Sequence, residues 1–156
     1  MSKKRYFAYG SNMSTERLRE RVPSAKALGR AKLPNKLLVC NKKSKDGSGK
    51  ANLIDSTGDT VWGVLYEVDP TELNRLDIVE SGYTRIILEV ITDQDSSVEA
   101  YVYVSSKLTD DARPYDWYKK LMIEGARKHQ LPASYVKYLE QIHSKPNPGK
   151  QRCNFS

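Results

Sequence analysis

The sequence predicts a single α+β domain. Strand-like and helix-like segments are interleaved without a regular strand–helix–strand alternation. No internal repeat, heptad array or domain linker interrupts the chain. Its 156 residues suffice for one core that buries roughly two-thirds of the unfolded surface. The domain is expected over residues 1–143. Residues 144–156, dominated by Pro, Gly, Lys and Asn, are expected to form a mobile or loosely docked tail.

The elements follow in chain order. Residues 5–10 read as an apolar aromatic strand that stops abruptly at Gly10-Ser11-Asn12. Gly10 can take a positive φ there, while Ser11 and Asn12 fold side-chain oxygens onto nearby backbone, so successive N–H groups are expected to converge on an anion. Ser14 is suited to cap a short helix through Arg21, with Glu16 in the first turn and Pro23 beyond the end. Strand-like material follows, including Lys36 to Asn41. Lys45 to Lys50, polar and Gly-rich, is expected as an exposed loop able to border a pocket as a lid. Thr60 to Val68 reads as a strand rich in β-branched and aromatic residues.

The run from Asp69 to Arg85 is a capped helix with an acid at its exit. Asp69 suits the N-cap, Pro70 suits N1 because its missing N–H has no partner there anyway, and Glu72 completes a capping-box pattern. Leu73 and Leu76 form the buried stripe, and Ser81-Gly82 ends the helix. Glu80 therefore falls in the last turn, where the negative end of the macrodipole disfavours a carboxylate and raises its pKa. A stabilising choice would be Lys or Arg. Tyr83–Thr92 and Val98–Ser105 read as a hairpin, with Ala100, Val102 and Val104 on one face and Glu99, Tyr101 and Tyr103 on the other. A helix is expected from Pro114 to about Lys128 and another from Ser134 to Ile142.

Composition excludes several classes. No run of about 18 apolar residues exists, and Met-Ser-Lys-Lys-Arg leads into a strand instead of a signal-peptide core, so a soluble, cytoplasmic protein without membrane association is expected. Cys40 and Cys153 are too few for a disulfide framework or a paired-ligand zinc site. Cys40 reads as a buried inert thiol. His129 and His143, without a carboxylate or Cys at ligand spacing, read as surface imidazoles, so no metal is expected. The net charge of +7 comes from 26 Lys and Arg against 19 Asp and Glu, but the basic residues form short separate clusters without a nucleic-acid motif. A solvated surface is the expected role for most of them, though the field would attract carboxylates; no specific nucleic acid is expected, and oligomeric state is left open.

Tyr6-Phe7-Ala8-Tyr9-Gly10-Ser11-Asn12-Met13, followed by the strand at 58–68, Leu76-Asp77-Ile78-Val79-Glu80-Ser81-Gly82-Tyr83 and Tyr118-Lys119-Lys120, resembles the γ-glutamylcyclotransferase family, over roughly residues 5–143. The resemblance implies a small, closed or nearly closed barrel of mixed strand direction flanked by helices. It also implies an activity: a γ-glutamyl amide becomes 5-oxoproline and a free amine when the substrate's own α-amine attacks its γ-carbonyl, with no cofactor.

Ring closure tethers the nucleophile, which leaves proton transfer and charge stabilisation to the protein. An α-ammonium with a reference pKa of about 8 must lose a proton before attack. Glu80 is the candidate base and then the acid that protonates the leaving nitrogen. Tyr9, Gly10, Ser11 and Asn12 are candidates to hold the glutamyl moiety, meeting either its α-carboxylate or the γ-carbonyl oxygen. Tyr6 and Tyr9, three apart in an extended segment, are expected on opposite sides, with Tyr9 facing the site. Ten tyrosines stand against two phenylalanines, and the resemblance singles out Tyr103 and Tyr118 as pocket tyrosines; Tyr101 shares the face of Tyr103 and competes for that position. Arg85 reads either as a carboxylate partner or as an exposed strand residue.

The leaving amine is open at this point: an amino acid, a lysine side chain, or an amine on a γ-glutamyl-capped biosynthetic intermediate. The chain lacks long insertions that would enclose the acceptor side, which favours a sizeable acceptor. The alternative to an enzyme is a binding or regulatory module on the same fold.

Overall fold

The structure, a computed structural model, describes residues 2–149. Five strands form a closed barrel: β1 (Lys4–Ala8), β2 (Lys26–Lys43), β3 (Gly49–Val68), β4 (Thr84–Thr92) and β5 (Ser97–Val104), ordered β1-β3-β2-β4-β5. All neighbours pair antiparallel except β1 and β5, which close the barrel in parallel at Tyr6 and Tyr101. The α+β class and the mixed barrel are therefore as expected. Among the described residues four α-helices accompany it: α1 (Thr15–Arg19), α2 (Pro70–Val79), α3 (Asp116–Lys128) and α4 (Ala133–Glu140).

Strands β2 and β3 are far longer than the strand segments read from the sequence. They form one hairpin with register shifts between Ala27 and Gly29, Pro34 and Lys36, and Val39 and Lys42. Such irregularities let a long ribbon bend around a barrel. They also break the period-two pattern by which strands are recognised in sequence. The turn of this hairpin corrects another expectation. It is pinned rather than free as a lid: the Gly49 N–H donates to the Arg113 carbonyl at 3.0 Å, and the Tyr115 hydroxyl to the Asp46 carbonyl at 2.6 Å. Ser48, Gly49 and Lys50 are buried.

After β1 the chain enters a 3-10 turn, Ser11–Met13, and then the short α1, which ends at Arg19, two residues before the expected Arg21. Helix α3 packs directly on this turn. A Cβ on Gly125 would lie 2.5 Å from the Met13 carbonyl carbon, so glycine is what allows the helix to seat so closely.

Helix α2 starts as expected, with the Asp69 carboxylate accepting from the Thr71 N–H at 2.8 Å and Pro70 in the first turn. Glu72, however, does not close a capping box. Its carboxylate accepts from the Ser24 N–H at 2.8 Å, and the Ser24 hydroxyl accepts from the Asp69 N–H at 2.9 Å. The acid at N3 thus ties the helix start to the segment before β2. Leu73 and Leu76 are buried, and Gly82, at φ +89, ends the helix in the left-handed region.

The core is continuous from Phe7, Val64 and Tyr66 inside the barrel to Met13, Met122 and Leu139 beneath the helices. Of the tail expected from residue 144, residues 150–156, Cys153 included, lie outside the described residues. Within 144–149, the Lys145 N–H donates to the Pro114 carbonyl at 2.9 Å, its carbonyl accepts from the Asp116 N–H at 3.0 Å, and Asn147 accepts from the Trp117 N–H at 3.0 Å.

Candidate active site

The 3-10 turn after β1 and the C-terminus of α2 meet at one end of the barrel. Gly10 is there for room, not for a positive φ: its φ is −108, and a Cβ would lie 3.0 Å from both the Ala51 methyl and the Tyr118 hydroxyl. This corrects the conformational role expected for it. The first N–H groups of a helical turn lack partners within the turn, so Ser11 and Asn12 still offer backbone donors at this point.

Asn12 is buried and points its amide between two groups. Nδ2 donates to the Tyr6 hydroxyl at 3.0 Å and reaches Glu80 Oε1 at 3.4 Å. The turn and the acid at the end of α2 therefore stand side by side, 68 residues apart in sequence. Glu80 is fixed by its own backbone: its N–H donates to the Leu76 carbonyl at 2.8 Å, and its carbonyl accepts from the Tyr83 N–H at 3.1 Å.

A narrow cavity opens along these residues, lined by Gly10, Ser11, Asn12 and Glu80 together with Tyr6, Phe7, Tyr9, Ala51, Tyr83, Tyr103 and Tyr118. It brings together Tyr9, Gly10, Ser11, Asn12, Glu80, Tyr103 and Tyr118. Tyr6 and Tyr9 both line it, against the expectation that they face opposite sides. Strand β1 ends at Ala8, so strand alternation does not extend to Tyr9. Tyr83 was not anticipated; its hydroxyl donates to the Ala51 carbonyl at 2.7 Å and its ring packs edge-on to Tyr103.

The tyrosine hydroxyls are held by protein partners. Tyr9 donates to the Tyr103 carbonyl at 2.5 Å, Tyr118 accepts from the Ala51 N–H at 3.2 Å, and Tyr103 donates to Asp77 at 2.6 Å. Asp77 also receives Arg85 at 3.4 Å, so Arg85 takes the carboxylate-partner role, and its guanidinium stacks over Tyr101. Tyr101 is absent from the cavity wall, whereas Tyr103 is part of it. Burial pushes the hydroxyls of Tyr6, Tyr9, Tyr83, Tyr103 and Tyr118 above the ordinary Tyr value, which keeps them neutral donors.

Among the described residues, Glu80 carries the one acidic side chain on the wall of this cavity. It is half-buried by exposed surface, yet protein crowds its carboxyl, and burial pushes that carboxyl above the ordinary Glu value. The positive charges of Arg21, Lys50 and Arg17 and the Asn12 hydrogen bond pull it back down. Desolvation therefore outweighs three cations and a hydrogen bond.

On its other side Glu80 borders a second, wider cavity of about 260 Å³. Here lie Lys42, paired across the β2–β3 ladder with Lys50, and the exposed Lys43, Lys45 and Lys107. Lys42 and Lys50 are both buried; for Lys50 this departs from the reading of Lys45 to Lys50 as an exposed loop.

The remaining candidates stand apart. Cys40 is buried, and burial pushes its thiol up to about 12. His129 shares a 2.8 Å hydrogen bond with the Thr15 hydroxyl and packs on Tyr66, a half-buried structural contact instead of a surface imidazole. Among the described residues no group of three or more His, Cys, Asp or Glu side chains is placed to hold a metal ion.

The sequence model of the AIG2-like family matches residues 60–139. The γ-glutamylcyclotransferase of Homo sapiens is 36% identical over 154 residues, covering 93% of this chain and 81% of the relative. The chain belongs to the γ-glutamylcyclotransferase family. The enzyme of that name from Bos taurus is 35% identical over the same span. A solved structure described as a γ-glutamyl cyclotransferase superposes with a TM-score of 0.86 at 33% identity, covering 96% of this chain and 92% of its own. Similarity at that level extends over the barrel and the helices alike. No helix among the described residues is long and apolar enough to cross a membrane.

Proposed function

We propose that this protein is a γ-glutamylcyclotransferase that converts a γ-glutamyl amide into 5-oxoproline and a free amine, with Glu80 as the proton carrier. The observation that carries this reading is the 3.4 Å approach of Asn12 Nδ2 to Glu80 Oε1, which joins an anion-accepting turn to a base inside one tyrosine-lined cavity. Family membership supports the reaction class, and the geometry is consistent with the roles proposed here.

The glutamyl chain lies bent in the narrow cavity, held at Ser11 and Asn12 and walled by Tyr9, Tyr103 and Tyr118. Bending it brings the α-nitrogen to the γ-carbonyl carbon and so removes most of the entropic part of the barrier. Glu80 accepts a proton from the α-ammonium, and the freed lone pair forms the new C–N bond. Negative charge then develops on the carbonyl oxygen, where backbone N–H groups are most effective in a water-poor site. Glu80 returns its proton to the departing nitrogen and the old C–N bond breaks; the freed carboxylate then takes the second proton from the ring nitrogen and passes it to the departing amine, so that the neutral lactam and an ammonium leave. A carboxyl whose pKa lies above the ordinary Glu value serves both transfers better than a normal one.

The neutral tyrosine hydroxyls have their own protein partners, so they shape the cavity and keep it rigid. The reading of a binding module without chemistry leaves a raised-pKa acid in the cavity with no task. The test is incubation of the protein with a panel of γ-glutamyl amides, following 5-oxoproline by chromatography. Product is expected from at least one amide in proportion to enzyme; amides that bind without any product would establish the binding module instead.

A further inference from the structure

We infer that the half of the substrate that departs as the amine is itself multiply anionic, carrying at least two negative charges as carboxylates or a phosphate, and docks in the lysine-lined cavity beyond Glu80. The inference rests on the cyclotransferase reading, because that reading decides which half of the substrate lies where. With the glutamyl chain in the tyrosine cavity, the scissile bond sits at Glu80. Glu80 also lines the wider cavity, so the group on the far side of that bond projects there.

The character of this cavity is unusual for a stability-driven surface. Lys42 and Lys50 are directly paired across β2 and β3, and both are buried, at 7% and 4% exposure. Like charges facing each other on adjacent strands destabilise a sheet, and buried ammonium groups lose hydration. Lys42 has compensation: its Nζ donates to the Ser81 carbonyl at 3.0 Å and sits 4.9 Å over the Tyr83 ring. Lys50 has less. Its Nζ lies 5.4 Å from the Trp117 and Tyr118 ring centroids and 3.5 Å from Asp46, too long for a strong hydrogen bond, and it makes no hydrogen bond among the described residues.

Asp46 offsets part of this charge: its Oδ2 pairs with Lys50 at 3.5 Å, while its Oδ1 is taken by the Ser48 N–H at 2.9 Å and the Ser48 hydroxyl at 2.6 Å. Lys43, Lys45 and Lys107 add three exposed ammonium groups at the rim, and among the described residues Glu80 is the lone acid on the wall. Five cations against Glu80 on the wall and Asp46 behind Lys50 leave a surplus of three positive charges, which matches an occupant with several anionic oxygens better than a single carboxylate.

The test is steady-state kinetics on four γ-glutamyl amides, those of n-butylamine, alanine, glutamate and O-phosphoethanolamine, which carry zero, one, two and a phosphate's worth of acceptor charge. At low salt kcat/KM is expected to rise roughly tenfold from the neutral amide to the better of the two dianions, and the advantage to shrink as salt is added. The higher of those two arms distinguishes a carboxylate from a phosphate acceptor. Lys50→Met is expected to reduce the dianion-to-neutral ratio. Lys43→Ala combined with Lys107→Ala, both at exposed positions, is expected to do so as well and keeps the test decisive if the buried substitution does not fold. Equal kcat/KM along the series, or a ratio unmoved in the surface variant, would overturn the inference while leaving the cyclotransferase reading intact. Absence of 5-oxoproline from all four amides would overturn both.

Discussion

Glu80 sits where local energetics argue against an acid: at the end of a helix, crowded by protein, with its carboxyl pushed above the ordinary value. Between the unfolded and folded pKa values the folded state binds the additional proton, so stability falls as pH rises through that interval, and the deficit persists above it. Glu80→Gln removes the titrating group. The variant is therefore expected to melt at a higher temperature than wild type at neutral pH, with the difference vanishing below the ordinary Glu value of 4.5. Thermal melts at several pH values check this, and a variant less stable than wild type at neutral pH would contradict it. The position of Glu80 was legible in sequence because everything that fixes it is local: Asp69-Pro70 starts the helix and Ser81-Gly82 stops it. Tyr6 was not legible in the same way, since its presence beside Tyr9 depends on the chain leaving strand geometry at Ala8.

At the scale of elements, the site depends on two contacts that hold the turn and the helices together. Leu73 and Leu76 seat α2 on the core, and Gly125 lets α3 close on Met13. Replacing a mid-helix glycine by alanine ordinarily stabilises by about 1 kcal/mol. In α3 the added methyl meets backbone at 2.5 Å, and overpacking of that kind costs about 1–3 kcal/mol. Gly125→Ala is therefore expected to lower stability by roughly 1 kcal/mol net and to reduce kcat by displacing the Ser11–Met13 turn. Urea denaturation with parallel kinetics measures both, and a stabilised variant of full activity would contradict the close seating. The helices were read almost to their ends because caps and periodicity are short-range signals. The β2–β3 hairpin was read only in pieces. Its bulges, and Asn35 at φ 61 beside Pro34, interrupt the alternation that would have revealed it. The burial of Lys50 arises from Gly49 bonding to Arg113, a contact between segments distant in sequence that no local pattern predicts.

For the molecule as a whole, barrel closure by the parallel β1–β5 pair places the Gly10–Asn12 corner beside Tyr103, and the order of strands brings α2 back across the same end. The surplus of positive charge, +7 overall, is spread over separate patches, with one concentration at the wide cavity next to Glu80. Such a distribution suits a small anion better than a polyanionic backbone. A random-sequence DNA duplex is accordingly expected to associate weakly and to dissociate by about 200 mM salt; tight binding that survives that salt would point to a nucleic-acid role. The barrel itself followed from a family resemblance carried by a few motifs, because strand order and closure are set by pairings that composition and periodicity do not encode. The claim on which the whole account turns is that one carboxyl moves the proton between two nitrogens. It is tested most directly by the rate of 5-oxoproline release from a turned-over γ-glutamyl amide by wild type and by Glu80→Gln with an unchanged circular dichroism spectrum. A fall of about 10²–10⁴ in kcat is expected, and equal rates from the two proteins would contradict the account.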